Sequence, residues 1–436
     1  MLFRSRLPIL PVLLDEVGPE ALPPFLSLFQ VVRWGPGRPL PPEMAGGIDA
    51  GRWPDAIAPA RETATECPYR GLAAFRQGDG RYFFGRTAET LAALRGLGDA
   101  GQADPGQMRG LAASGFRRWL QVEGNSGSGK SSLVQAGLLP LIERGALWGR
   151  TGFAHWQVLG PMMPGQDPLS KLAESVEFAL RSDPQRRDIA GLAQRLRTGG
   201  ADGLALHLRN FKAPDTAFLL VVDQFEELFT TAEPQASRLF AAQLAQALAD
   251  PECPLFLVTT IRADFLDRMD SLVALAAAYN ERCQRYLLPP ISSEGLREAI
   301  EMPARLAGID VSEVTAAILA DASDEIGALP LVGNALVALW EVRRNDGGRV
   351  RLSGQAYQQQ GRLAGMLIAG ADALLASVER ARPGHGRTAA LELLLGLVHI
   401  QPDGRHSRRR ISREEAVAIA GRGDEPLGEF VLRRLA

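Results

Sequence analysis

Gly124-Asn125-Ser126-Gly127-Ser128-Gly129-Lys130-Ser131 decides the reading of this chain of 436 residues. The stretch fits G-x-x-x-x-G-K-[ST], the pattern of a loop that wraps phosphate groups. The apolar run Trp119-Leu120-Gln121-Val122 precedes it, and Ser132 to Gly137 follows with helical potential. Strand, glycine loop and helix start are the context that pattern requires. Glycines let backbone N–H groups turn toward an anion, and the helix N-terminus adds partial positive charge. Lys130 supplies a full charge for outer phosphates, and the Ser131 hydroxyl is a Mg²⁺ ligand candidate. Asn125, Ser126, Ser128 and Ser132 complete the expected cradle. Only three of the 48 basic residues are lysines (Lys130, Lys171 and Lys212). A lysine kept in an arginine-using chain fits a tight phosphate cradle, where a compact ammonium suits better than a guanidinium fork.

Working outward, Phe218 to Asp223 is a continuous apolar run ending in a carboxylate. An acidic residue leaving a buried strand is where Mg²⁺ takes an outer ligand, so Asp223 joins Ser131 as the expected metal pair. Gln224 follows, where a glutamate would activate water. An amide can orient a water but takes no proton from it at neutral pH. Glu226 and Glu227 lie one turn further, either of them a base or both structural. Slow hydrolysis is the expectation. The next apolar run, Leu255 to Thr260, leads into Ile261-Arg262-Ala263-Asp264. Arg262, or Thr260, is placed to sense a γ-phosphate, and a salt bridge of Arg262 with Asp264 is the alternative.

These strands alternate with helical stretches at Ala88–Leu97, Pro168–Ala179 and Ala236–Ala249, with a further strand at Gln157–Leu159. That alternation predicts an α/β fold with a parallel sheet covered on both faces. After Pro289-Pro290 the pattern becomes helical, with Ser292 or Ser293 as a cap and Pro330 at the first position of a helix. The last region carries a basic strand, Arg408–Ile411, and a capping box at Ser412–Glu415.

Composition narrows the field. With 46% apolar and 22% charged residues the chain is an ordinary globule, and a net charge of −2 argues against nucleic acid as a partner. Cys67, Cys253 and Cys283 form no disulfide framework or metal pair, which fits a reducing, cytoplasmic setting. Five scattered histidines match no metal spacing. No apolar run approaches the ~20 residues of a membrane span. Arg4 and Arg6 before an apolar stretch mimic a signal peptide, but Pro8 and Pro11 interrupt it, and it reads as a buried strand.

Together these stretches resemble the novel STAND class of signal-transducing P-loop ATPases. The resemblance rests on Pro68–Phe75 (PYRGLAAF), Phe83–Arg86 (FFGR), Gly124–Val134, Leu219–Phe229 (LLVVDQFEELF), Thr259–Phe265, Ser292–Ile309 and Gly327–Leu336. It implies ATP and Mg²⁺ as ligands, with Phe84, Gly85 and Arg86 flanking adenine and Pro330 contacting the base from a helical lid. It further implies a nucleotide-driven switch that self-associates when activated, with a protein trigger or effector. The expected division is a P-loop domain at 68–288, an all-α lid at 289–380 and a partial winged helix at 381–436. Arg408, Arg409 and Arg410 would form a solvated wing; DNA binding through them, in a DNA-dependent ATPase, is the alternative. A non-hydrolysing nucleotide scaffold is another. The family continues into a repeat sensor, and no repeat is visible here. Residues 1–50, with strands at Leu7–Leu14 and Phe29–Trp34, resemble the end of a TIR domain, which would set the switch in bacterial defence; an N-terminal arm docking on the main domain is the alternative. A linker at 51–67 separates them from the rest.

Overall fold

Phe218, Leu219, Leu220, Val221 and Val222 are all fully buried. A run with no polar face can be satisfied only by a strand covered on both sides. The computed structural model describes residues 12–14, 32–34, 66–98, 117–323, 327–346, 349–400, 406–408 and 411–435. The chain divides between Leu352 and Ser353 into two compact units.

Near the N-terminus, β1 (Val12–Leu14) pairs in parallel with β2 (Val32–Trp34). The rest of the stretch resembling a TIR domain lies outside the described residues. In the first unit α1 is Thr87–Gly96 and β3 is Trp119–Gly124. Helix α2 begins at Lys130–Ser132, passes through a π-helical turn at Leu133–Leu138 and ends as Leu139–Glu143. The remaining strands of the main sheet are β4 (His155–Met162), β5 (Thr216–Val222), β6 (Leu255–Arg262) and β7 (Cys283–Leu287). Between them run α3 (Pro168–Leu180), α4 (Ile189–Thr198) and α5 (Pro234–Ala249).

The sheet order is β4-β5-β6-β3-β7, parallel throughout. Side-chain alternation then sorts the core. Leu120, Val122, Leu219, Val221, Phe256 and Val258 pack with α1 and α2 on one face. Phe218, Leu220, Val222 and Leu257 pack with α3, α4 and α5 on the other. The strand β7, with Gln284 and Arg285 in its middle, escapes a search for apolar runs because it is a half-exposed edge. It docks through Arg285, which forms a bidentate pair with the buried Glu123 of β3 at 2.5 and 3.0 Å.

The stretch expected to form a lid contributes to the same unit α6 (Ser293–Leu306), α7 (Ser312–Ala322) and α8 (Ala328–Glu341). Ser292 is the cap of α6, its hydroxyl accepting from Gly295 N at 3.0 Å. The lid is not purely helical. Strand β8 (Ile309–Asp310) runs parallel to β10 (Arg349–Arg351), which pairs antiparallel with β9 (Arg344–Asp346). Helix α8 starts two residues before Pro330, which is therefore its third residue. The position still suits proline, because the first-turn N–H groups have no intrahelical partner.

In the second unit α9 (Arg362–Ala381), α10 (Gly386–Gly396), α11 (Arg413–Gly421) and α12 (Glu425–Leu435) enclose Val378, Ala390, Leu393, Ala420 and Val431. Strands β11 (Val398–Ile400) and β12 (His406–Arg408) form an antiparallel pair. Arg408 thus ends a strand, where the sequence pattern begins one. Arg409 and Arg410 lie outside the described residues. Ser412 caps α11, accepting from Glu415 N at 3.1 Å. Among the described residues no helix is long and apolar enough to cross a membrane.

One buried arginine fixes the centre of the sheet. Arg118, just before β3, donates to Cys253 O at 2.7 Å and to Leu248 O, while its own carbonyl accepts from Leu257 N at 2.7 Å. Burial lowers its pKa to about 10, so it stays charged at neutral pH. It ties the end of α5 and the turn before β6 to the strand that leads into the phosphate loop. Arg118→Leu orphans those carbonyls and should cost about 3 kcal/mol; urea unfolding of the two proteins checks this.

Candidate functional site

The sheet order decides what meets at its C-terminal edge. Strand β6 lies between β3, which feeds the phosphate loop, and β5, which ends at Asp223. The exits of all three strands therefore converge, where open α/β sheets bind ligands. Gly127 and Gly129 hold φ of +75° and +93°, values that spare the loop a steric penalty only as glycines. The Lys130 side chain is buried and curls back, donating to Gly124 O at 3.0 Å and Asn125 O at 2.9 Å. Burial lowers its pKa, with Glu226 and Asp223 opposing that shift.

Asp223 is the junction. Its Oδ1 accepts from Ser131 Oγ at 2.8 Å and Thr260 Oγ1 at 2.5 Å, and more weakly from Gln224 N at 3.2 Å. Gln135 Nε2 reaches Oδ2 at 3.4 Å. Thr260 is thus turned to the carboxylate, and its hydroxyl also accepts from Gln224 N at 2.9 Å. Sequence pattern offers no hint of Gln135 here, since it sits a helical turn past the loop with no distinguishing neighbour.

The three residues after Asp223 separate clearly. Gln224 sits at φ +57°, a left-handed conformation that costs a non-glycine residue about 1 kcal/mol or more. Its exposed amide points to Met163 Sδ at 3.2 Å. The Glu227 carboxylate accepts from Gly165 N at 2.9 Å, which fixes the loop after β4. Glu226 is buried, accepts from Arg262 N at 3.3 Å, and is pushed above the usual carboxylate range by burial. Arg262 itself pairs with Asp264, at 2.9 and 2.5 Å.

A cleft of about 240 Å³ opens beside the loop, with Gly127, Gly129, Lys130, Ser131 and Ser132 on one wall. Phe84 and Arg86 line it from the start of the domain, and Pro330 lines it from the lid. A Cβ on Gly127 would meet Pro330 Cγ at 3.0 Å, so the first turn of α8 rests on the phosphate loop. Gly85, at φ +82°, packs its backbone against Gly295 of α6. Arg86 is a strut. Its buried guanidinium donates to Ser128 O at 3.1 Å, Pro289 O at 2.9 Å and Glu89 Oε1 at 2.9 Å. The Ser132 hydroxyl accepts from Phe75 N at 3.1 Å. The stretch from Tyr69 to Phe75, a motif to which sequence pattern assigns no role, also lines the cleft.

The donor set fits a phosphate group with its cation. Ser128 Oγ is buried without a protein partner, and Gly127 and Gly129 put no side chain of their own between the loop backbone and a ligand. Ser131 and Asp223 offer hydroxyl and carboxylate oxygens, the hard donors Mg²⁺ prefers. Among the described residues no group of three or more His, Cys, Asp and Glu gathers to hold a metal.

No curated protein matches the chain. Among solved structures it is similar to a Walker-type ATPase of Pyrococcus abyssi, at 15% identity over 83% of this chain and 91% of that one, TM-score 0.38. It is also similar to the ORC2 protein of Aeropyrum pernix in ADPNP–ADP complexes, at 14% identity over 83% and 95%, TM-score 0.42. A third is Drosophila ORC bound to DNA, at 14% identity over 90% and 100%, TM-score 0.33. These scores describe a loose likeness of chain path. The family model named novel STAND NTPase 1 matches residues 68–436, beginning after the segment that resembles a TIR domain. With its phosphate loop, its parallel sheet and that match over most of its length, the chain belongs to the novel STAND NTPase 1 family.

Proposed function

We propose that this protein is a STAND-type switch that binds ATP with Mg²⁺ between its sheet and its lid and hydrolyses it slowly. The observation that carries the reading is the Ser131–Asp223 contact at 2.8 Å, which joins loop and strand end as a cation site requires. Ser131 and Asp223 would hold Mg²⁺, and Lys130 would leave the loop carbonyls for the outer phosphates. Mg²⁺ would neutralise charge on those phosphates.

Glu226 is the general base in this reading, for three reasons. It is buried beside Lys130, its raised pKa brings it closer to the working pH, and Glu227 is committed to Gly165. Gln224 is turned to Met163 and exposed, which favours holding nucleotide over rapid turnover. Arg262 would have to exchange Asp264 for the γ-phosphate, so ATP and ADP would leave it in different pairings. A nucleotide shifts a conformational equilibrium only through such differences in interaction. Pro330 on the loop would then pass the difference to the lid, and exposure of a self-association surface would follow. The second unit, with its helices and β11–β12 pair, is the switch element in this scheme, as a winged helix would be. A TIR-type effector, a protein trigger and a place in bacterial defence rest on the resemblance alone.

Thermal-shift titration tests the reading. At 100 times its Kd, ADP·Mg²⁺ or ATP·Mg²⁺ should stabilise the protein by about 2.7 kcal/mol. Lys130→Ala should abolish that shift, and Asp223→Ala should abolish phosphate release. No shift with any nucleotide in the unaltered protein would sink the proposal.

Glu226 adds a pH test. Its pKa is raised from the unfolded 4.5, so above the folded value its charge works against folding. Between the two values the folded state binds the extra proton, and stability therefore rises as pH falls through that window. Glu226→Gln should raise Tm at pH 8, with the gain shrinking toward pH 5. The same change should slow phosphate release by about 100-fold or more.

A further inference from the structure

The stretch Tyr69–Phe75 touches three parts of the first unit at once. At one end the Tyr69 hydroxyl, buried, donates to Ile300 O of α6 at 2.7 Å. In the middle Gly71 adopts φ +62°, and its carbonyl lies so close to Gly333 of α8 that a Cβ there would fall 2.5 Å from it. A Cβ on Gly71 itself would touch Val337 of the same helix at 3.4 Å. At the far end Phe75 N donates to Ser132 Oγ in α2, and the Phe75 ring meets Phe83, 6.0 Å between centroids. Ala73 N closes a turn onto Arg70 O at 3.1 Å. The segment therefore spans from α6 and α8 to the helix that carries Ser131, and it forms a wall of the cleft on the way.

We propose that residues 69–75 are a latch over the nucleotide cleft, with Tyr69 as the positioning residue that holds the latch to the lid. The inference rests on nucleotide binding at this cleft. Its physical basis is the set of anchors. A wall fixed only to the sheet would leave the lid free to open without disturbing the ligand. A wall fixed to α6, α8 and α2 must break the Tyr69–Ile300 bond, or slide Gly71 off Gly333, before the lid can part from the loop. The latch thus sets how long a nucleotide stays. The Gly71–Gly333 approach makes it sensitive to a single methyl group, since a Cβ on Gly333 would fall 2.5 Å from the Gly71 carbonyl oxygen and push the segment away from α8.

The test is release of a fluorescent mant-ADP from the full chain with Mg²⁺, followed by stopped flow. Tyr69→Phe removes the hydroxyl and keeps the ring. The latch predicts release at least tenfold faster, and a nucleotide-induced rise in Tm that shrinks more than the Tm of the nucleotide-free protein falls. Gly333→Ala, which pushes on Gly71 from the other side, should act in the same direction. Amide exchange across residues 69–75 should slow when ADP·Mg²⁺ is added to the unaltered protein. A purely structural tyrosine would lower the nucleotide-free Tm and leave the release rate unchanged, and that result in both variants overturns the latch while nucleotide binding stands. Absence of mant-ADP binding to the unaltered chain overturns the nucleotide reading itself, and the latch with it.

Discussion

The carboxylate of Asp223 is the constraint on which the rest of the site depends. One oxygen takes hydrogen bonds from a hydroxyl of the phosphate-loop helix, a hydroxyl of β6 and the backbone of the residue after it. Three chain segments far apart in sequence are thereby held at one point. The bonds are buried or partly buried, so they are costly to leave unmade. The geometry is possible only because β6 is inserted between β3 and β5. Adjacent β3 and β5 would leave no place for Thr260, and Gln224 N would lose the shorter of its two acceptors, at 2.9 Å.

Much of this was legible in the sequence, for identifiable reasons. The phosphate loop is a local motif whose glycines and lysine have direct geometric causes. Strands buried on both faces announce themselves as unbroken apolar runs, as at Phe218–Val222. Ser292 and Ser412 are legible because a cap is a contact three residues long. The rest was not, because it depends on partners that sequence does not bring together. Strand β7 is half-exposed and carries Gln284 and Arg285, so no periodicity marks it. Glu226 and Glu227 are equivalent by spacing, and only the fold sends one to Gly165 and buries the other. Arg86 belongs to a motif expected to flank a base, yet its side chain braces the loop through Ser128 and Pro289.

Two kinds of polar group bear on the sheet and the site. Arg118 and the Glu123–Arg285 pair are satisfied within the protein, and they fix strand register. Ser128 Oγ and Glu226 are less well served: the first has no protein partner and the second is destabilised by burial. Groups left in that condition are the ones a ligand can relieve. Both lie at the strand exits, Ser128 in the phosphate loop after β3 and Glu226 just past the end of β5, where a ligand would meet them.

The contact between Gly85 and Gly295 carries a consequence for how such a protein can vary. There the lid meets the sheet domain backbone to backbone, with no side chain from either residue between them. Such a joint has no conservative replacement, because the smallest change, to alanine, inserts an atom where none fits. Side-chain interfaces drift by compensating pairs, a larger residue against a smaller. A joint made of two missing side chains has no smaller partner to offer. The fit of this joint therefore rests on an absence of atoms.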